Sequence, residues 1–145
     1  MANEALFYVG QKALIEKDGK VLVLSDPLFG LDFAGGKIQE GEIKERDDLM
    51  ISLKREVKEE CGLEIKVSDP LAVWWFEFSN KNHKLYGKKV YIILFKAKYV
   101  SGEIKLSNEH NKFEWVDKNN YQKFDNESNG FIALKKYFSP PKINL

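Results

Sequence analysis

Along this chain the period of apolar and polar positions changes several times, and each change marks an element. Two apolar, β-branched runs over 6–15 and 21–24 flank Lys17-Asp18-Gly19-Lys20, which predicts a hairpin closed by an Asp-Gly turn. Over 47–60 the spacing becomes helical, with Asp47 or Asp48 available as the cap and Gly62 just past the end. Strand-like runs return over 63–67, 71–78, 89–100 and 113–116, and the polar stretch 79–88, carrying His83 and Tyr86, reads as a loop. A last helix is predicted over 128–138, where Phe131, Leu134, Lys135 and Phe138 recur at helical spacing before Pro140-Pro141. This order is not a regular βαβ alternation. It predicts an α+β fold, an α/β/α sandwich around a mixed sheet.

Length and charge narrow the picture further. The 145 residues contain no repeat, low-complexity tract or Pro/Gly-rich linker, so a single domain over 1–145 is expected. With 23 Lys and Arg against 22 Asp and Glu, the chain lacks the basic excess used to grip nucleic-acid polymers or acidic lipids. Any electrostatic function must therefore be local. Cys61 is the one cysteine, which excludes an internal disulfide and favours a reducing compartment. The start of the chain lacks a signal-peptide pattern, and no apolar run approaches the ~20 residues needed to span a bilayer. A cytoplasmic, unanchored protein is expected.

The helical stretch carries the chemistry. At about 100° per residue, setting Glu56 at about 0° puts Leu49 near about 20°, Glu60 about 40°, Leu53 about 60° and Val57 about 100°. Glu60 thus falls inside the apolar stripe and Glu56 at its edge, while Lys54, Arg55 and Lys58 fall on the wet side. Acidic helices usually present a solvated face with i,i+4 partners. Inward carboxylates are different, because burying them unpaired costs several kcal/mol or more each. A divalent cation such as Mg²⁺, Mn²⁺ or Ca²⁺ would compensate them. Glu59 borders the same surface, and Arg55, four residues before it, can hold its carboxylate. Just upstream, Gly35, Gly36 and Gly41 permit close approach of the main chain, so a backbone carbonyl there could complete a metal's coordination.

Together these residues resemble the Nudix box of the Nudix hydrolases. Gly36 is followed after five residues by Glu42, and the second half stands intact as Arg55-Glu56-Val57-Lys58-Glu59-Glu60-Cys61-Gly62-Leu63. The first half, from Leu31 to Glu42, looks like MutT-type members, and Glu109-His110 followed by Phe113-Glu114-Trp115-Val116 resembles a segment that many members carry before their last helix. Two departures stand out. Twelve residues separate Glu42 from Arg55 where the usual pattern has seven, and Ala34 replaces a common proline. The extra five are expected partly in a loop over 43–46 and partly in an extended helix start. They bear on the place of Glu42 and the shape of the pocket near it.

The resemblance implies the Nudix α/β/α sandwich and hydrolysis of a nucleoside diphosphate linked to another group, with Mg²⁺ as cofactor and Mn²⁺ as the alternative. It implies Glu56 and Glu60 as metal ligands, Glu59 as a direct or water-mediated one, the Gly35 carbonyl as another, and Arg55 as the group orienting them. The general base is Glu109 on a distant loop or Glu59. Nucleoside triphosphates are favoured as substrates. ADP-ribose, nucleotide sugars and dinucleotides stay open, as does a non-catalytic nucleotide-binding module, for which lost box glutamates would be the sign. Lys37 is a candidate for a phosphate contact, and Trp75 and Tyr86 for stacking on a base. The implied partner is a small nucleotide, with no nucleic-acid polymer and no membrane; a homodimer stays open. Cys61 is expected to pack at the helix end.

Overall fold

A computed structural model describes residues 3–26 and 30–142. In chain order its elements are β1 (Tyr8–Lys17), β2 (Lys20–Asp26), β3 (Gly30–Asp32), β4 (Ala34–Lys37), α1 (Asp48–Cys61), β5 (Glu64–Glu77), β6 (Lys89–Ser101), β7 (Lys112–Val116), a 3-10 turn (Tyr121–Phe124) and α2 (Asn129–Phe138). The strands form one mixed sheet in the order β3-β2-β1-β6-β5, with β4 paired to β1 and β7 to β2. The β1–β6 pair is parallel and the other pairs are antiparallel.

The β1–β2 hairpin pairs Lys17 with Lys20, and Asp18 and Gly19 both take positive φ, 53° and 79°. That conformation matches the twist of the two strands, which is why an Asp-Gly pair closes them. Beyond Glu16–Val21 the partners diverge. The middle of β1, from Gly10 to Ala13, pairs with β4 on one side and β6 on the other, so β4 is delivered to the face on which α1 lies.

Helices cover both faces. Leu53, Val57 and Cys61 of α1 pack on Ala13, Ile15, Leu22, Leu24, Phe95 and Ala97. On the opposite face Phe131, Ala133 and Leu134 of α2 meet Leu14, Val21, Val23, Phe33 and Leu94. Alternate residues of β1 and β6 therefore feed different cores, as the period of two requires. The result is the α/β/α sandwich expected from the pattern. No helix among the described residues is long and apolar enough to cross a membrane.

Several boundaries differ from the sequence reading, each for a physical reason. The runs at 63–67 and 71–78 are one strand, β5, which bends through register shifts around Pro70. Because β5 pairs only with β6, Pro70 can sit at an irregular point of an edge strand. The short strands β3 and β4 were not anticipated, since glycines hide the alternation that announces a strand. Leu49, placed on the apolar side of the wheel, is exposed in the first turn of α1. Asp47 caps α1 only by position. The Asp48 carboxylate instead accepts the N–H groups of Lys44 and Glu45 at 2.8 and 2.9 Å, closing the turn just before the helix.

Candidate functional site

The site forms where α1 crosses β4. Glu60 lies on the buried side of α1, 5% exposed, as the wheel places it. Its Oε2 accepts the Gly35 N–H at 2.7 Å. Gly35 has φ of 142°, and a Cβ there would strike the backbone carbonyl oxygen of Gln11 on the neighbouring strand. Only glycine lets β4 approach β1 this closely while turning its amide to the helix. At Gly36 a Cβ would stand 2.6 Å from Glu56 Oε2, so the missing side chain makes room for that carboxylate.

Arg55 ties the acids together. Its Nη1 donates to both oxygens of Glu59 at 2.9 Å, and its Nη2 donates to Glu56 Oε1 at 3.1 Å and to Glu42 Oε2. Glu42 also accepts the Ser52 hydroxyl and, at 3.3 Å, the Gln39 N–H. The insertion thus leaves Glu42 against Arg55. These bonds act on the carboxyl groups. The Ser52 hydroxyl, the Gln39 amide and Arg55 hold Glu42 below its ordinary value against a smaller opposing effect of desolvation. Burial raises the pKa of Glu56, opposed by Arg55 and assisted by the charges of Glu59 and Glu42. Arg55 is raised, chiefly by Glu59. Arg55 and Glu59 are solvent-exposed enough that their pairing contributes more to orientation than to stability.

A second set of charges approaches Glu60 from behind. His110, 5% exposed, places Nδ1 at 2.9 Å from Glu60 Oε1 and Nε2 at 3.0 Å from Asp32 Oδ2. The Nδ1 contact is an ion-pair approach without hydrogen-bond alignment, which leaves Glu60 Oε1 and His110 Nδ1 buried with no hydrogen-bond partner. Asp32 accepts the Lys12 ammonium at 3.2 Å and the Phe33 N–H at 2.7 Å. Burial alone would raise the Asp32 carboxyl, yet Lys12, His110 and the Phe33 amide together hold it below its ordinary value. Burial lowers His110, but Asp32 and Glu60 overcome this and push it up to about 9.

The structure brings some sequence candidates together and separates others. One carboxylate oxygen of Glu109, on the loop before β7, lies within 4.8 Å of donor atoms of both Glu60 and His110. Glu59 is turned outward to Arg55. Lys37, in β4, stands with its ammonium 5.9 Å from the centre of the Phe78 ring. Trp75 is 56% exposed on β5, paired with Tyr91 of β6, edge-on to Phe7 at 6.3 Å and beneath the Lys89 ammonium at 5.8 Å. Tyr86 is exposed in the loop over 79–88. Cys61 is buried, its thiol 3.3 Å from the Val57 carbonyl oxygen and pushed up to about 11, mainly by burial. Lys12, Asp32 and Ser52 were not singled out from sequence, and His110 was noted only beside Glu109, with no role. For Asp32 a signal existed: an acid between Leu31 and Phe33, two residues of the core.

The donor set suits a hard divalent cation. A carboxylate oxygen buried without a hydrogen bond, a second carboxylate raised by desolvation and a third within 4.8 Å all gain by sharing positive charge.

The fold and the family match together define a hydrolase of phosphoanhydride bonds. A family model described as NUDIX domain matches residues 12–135, and the chain belongs to that family. Among solved structures it is similar to the MutT protein from Methanosarcina mazei Go1, at 26% identity and TM-score 0.69, covering 94% of this chain and 96% of that one. It is also similar to the E. coli ORF135 protein, at 21% identity and TM-score 0.68 over 95% of each chain. A C. elegans Ap4A hydrolase shares 19% identity at TM-score 0.67, covering 90% of this chain and 94% of that one. Against curated proteins the chain shows no sequence match.

Proposed function

We propose that this Nudix hydrolase cleaves the phosphoanhydride of a nucleoside diphosphate linked to a further group, with Mg²⁺ as cofactor and Mn²⁺ as its substitute, and that nucleoside triphosphates are its preferred substrates. The observation that carries the reading is Glu60: a buried carboxylate hung on the Gly35 amide beside Glu56, with its other oxygen short of hydrogen bonds. The MutT name of one structural neighbour supports the substrate preference.

In this reading Glu56, Glu60 and the Gly35 carbonyl hold the cation, and Glu59 joins directly or through water. When bound, the cation neutralises phosphate oxygens and lowers the pKa of a coordinated water. Arg55 fixes the carboxylate of Glu56 and, on the outer side, that of Glu59. Glu109 accepts the proton of the attacking water. It is favoured over Glu59 because Glu59 gives both oxygens to Arg55, whereas Glu109 reaches Glu60 from an exposed loop. Lys37 meets a phosphate, and Trp75 and Tyr86 are the aromatic surfaces open to a base.

The test is product release from nucleoside triphosphates, ADP-ribose, a nucleotide sugar and a dinucleotide, with Mg²⁺ and with chelator. Cleavage that needs the cation and is fastest with triphosphates is expected. Tight nucleotide binding with no cleavage of any of these substrates would refute the reading in favour of a binding module.

A further inference from the structure

We propose that Asp32 and His110 are positioning residues for Glu60, and that the line of contacts Lys12–Asp32–His110–Glu60 sets the orientation in which this carboxylate takes a divalent cation. The inference rests on the metal-dependent reading above and adds to it residues outside the glutamate helix.

The geometry leaves Glu60 little freedom. Oε2 is fixed by the Gly35 N–H at 2.7 Å, and Oε1 is buried against His110 Nδ1 at 2.9 Å. The imidazole is in turn held through Nε2, 3.0 Å from Asp32 Oδ2. Asp32 cannot swing aside, because its oxygens also meet the Lys12 ammonium at 3.2 Å and the Phe33 N–H at 2.7 Å. Three stretches distant in sequence thus form a line of contacts that ends on one side chain: β1, the β3–β4 stretch and the loop before β7. That loop is itself tied to the end of α1. Lys105 N–H donates to the Cys61 carbonyl at 3.0 Å, and Ser107 N–H to the carbonyl of Glu60 at 2.9 Å. The backbone and the side chain of Glu60 are therefore both held by the segment that carries His110.

The arrangement is functional as well as packed. A ligating carboxylate works best when its non-bonding rotamers are removed beforehand, and partners behind it do that. A buried carboxylate that faces no polar partner is also costly, and the His110 ring sets a nitrogen 2.9 Å from Glu60. The rival role for His110 is as a ligand itself, since Nδ1 lies within reach of Glu60 and Glu109 and is not aligned for a hydrogen bond. The two roles make different spectroscopic predictions.

The test uses the full chain and Mn²⁺ alone, titrated by electron paramagnetic resonance of the free ion, with pulsed measurements on the bound ion. In Asp32→Asn, which keeps shape and removes charge, Mn²⁺ affinity is expected to fall about tenfold or more, and saturating Mn²⁺ should restore most of the turnover. His110→Asn keeps an amide donor near Glu60 while losing Asp32, so its affinity should lie between those of the wild type and His110→Ala. Because this comparison does not involve Asp32 variants, it also serves if Asp32→Asn fails to fold. Bound Mn²⁺ in the wild type should show no ¹⁴N coupling from an imidazole. Wild-type affinity in Asp32→Asn, or loss of turnover that Mn²⁺ does not recover, would overturn the proposal. So would ¹⁴N coupling abolished by His110→Ala, which would make His110 a ligand. If the wild type itself binds no Mn²⁺, the metal-dependent reading fails, a result separate from any of these.

Discussion

Glu60 of α1 accepts the backbone N–H of Gly35 at 2.7 Å, a bond between residues 25 positions apart that joins the glutamate helix to the glycine strand. Replacing Glu60 with Gln keeps the size of the side chain but removes the charge that a cation would share. Turnover with Mg²⁺ should fall by about a thousandfold or more, since a lost catalytic ligand withdraws several kcal/mol of transition-state stabilisation. Steady-state kinetics beside a Mn²⁺ binding titration will check this. Turnover at the wild-type rate would remove Glu60 from the site.

The two adjacent glycines should respond differently to the same substitution. Gly35→Ala places a methyl against the Gln11 backbone at a positive φ, so it should destabilise the fold by about 1–3 kcal/mol or more. Gly36→Ala meets only the end of the Glu56 side chain. It should leave the unfolding midpoint nearly unchanged while lowering metal affinity and turnover. Denaturant unfolding and Mn²⁺ titration of the two variants will separate these effects.

Arg55→Lys should behave as a loss of function although it retains the charge. An ammonium is a point charge without the planar fork that here reaches Glu42, Glu56 and Glu59 together. A drop in kcat of about 10- to 100-fold, with a smaller change in stability, is expected. A kcat equal to that of the wild type would mean that the carboxylates are oriented without it.

Stability of the metal-free protein should depend on pH in the alkaline range through His110. Its pKa is about 9 in the folded chain against an ordinary 6.5, so its contribution is fully present below about pH 6.5 and is lost as the pH rises through about 9. Asp32 has the opposite sign. Its lowered pKa contributes stability above the ordinary value of 3.8 that is lost as the pH falls through the folded value. Thermal scans with chelator should give a Tm lower by ~5 °C at pH 9.5 than at pH 6.5, and His110→Asn should flatten that slope.

The parts of this site that could be read from sequence are those that depend on local spacing. Helical periodicity alone placed Glu60 on the apolar side of α1, and the structure finds it buried there. Asp-Gly between two apolar runs marked the first hairpin for the same reason: turn chemistry is local. What was hidden depends on chain segments meeting at a distance. Asp32 and His110 are 78 residues apart, and no period links them. The strands β3 and β4 were missed because their stability comes from pairing with β2 and β1, and their glycines carry no side-chain pattern. Glu59 shows the limit of a wheel. It borders the inward face by angle, yet Arg55 draws it outward.

The segment over 103–110 reaches the site without belonging to any strand or helix, and is attached to α1 by the amides of Lys105 and Ser107. Beyond these two hydrogen bonds its hold is the packing of Ile104 and Leu106 and the contacts of His110, less than the ladders of the sheet, so this segment is the natural place for local opening. When it lifts, Glu109 and His110 leave together, Glu60 loses the imidazole behind it, and the core under α1 loses the cover of Ile104 and Leu106. The strands and both helices can thus stay paired while the site is taken apart. A protease nick within the segment would make that state permanent, which limited proteolysis followed by assay of the uncleaved sheet would reveal.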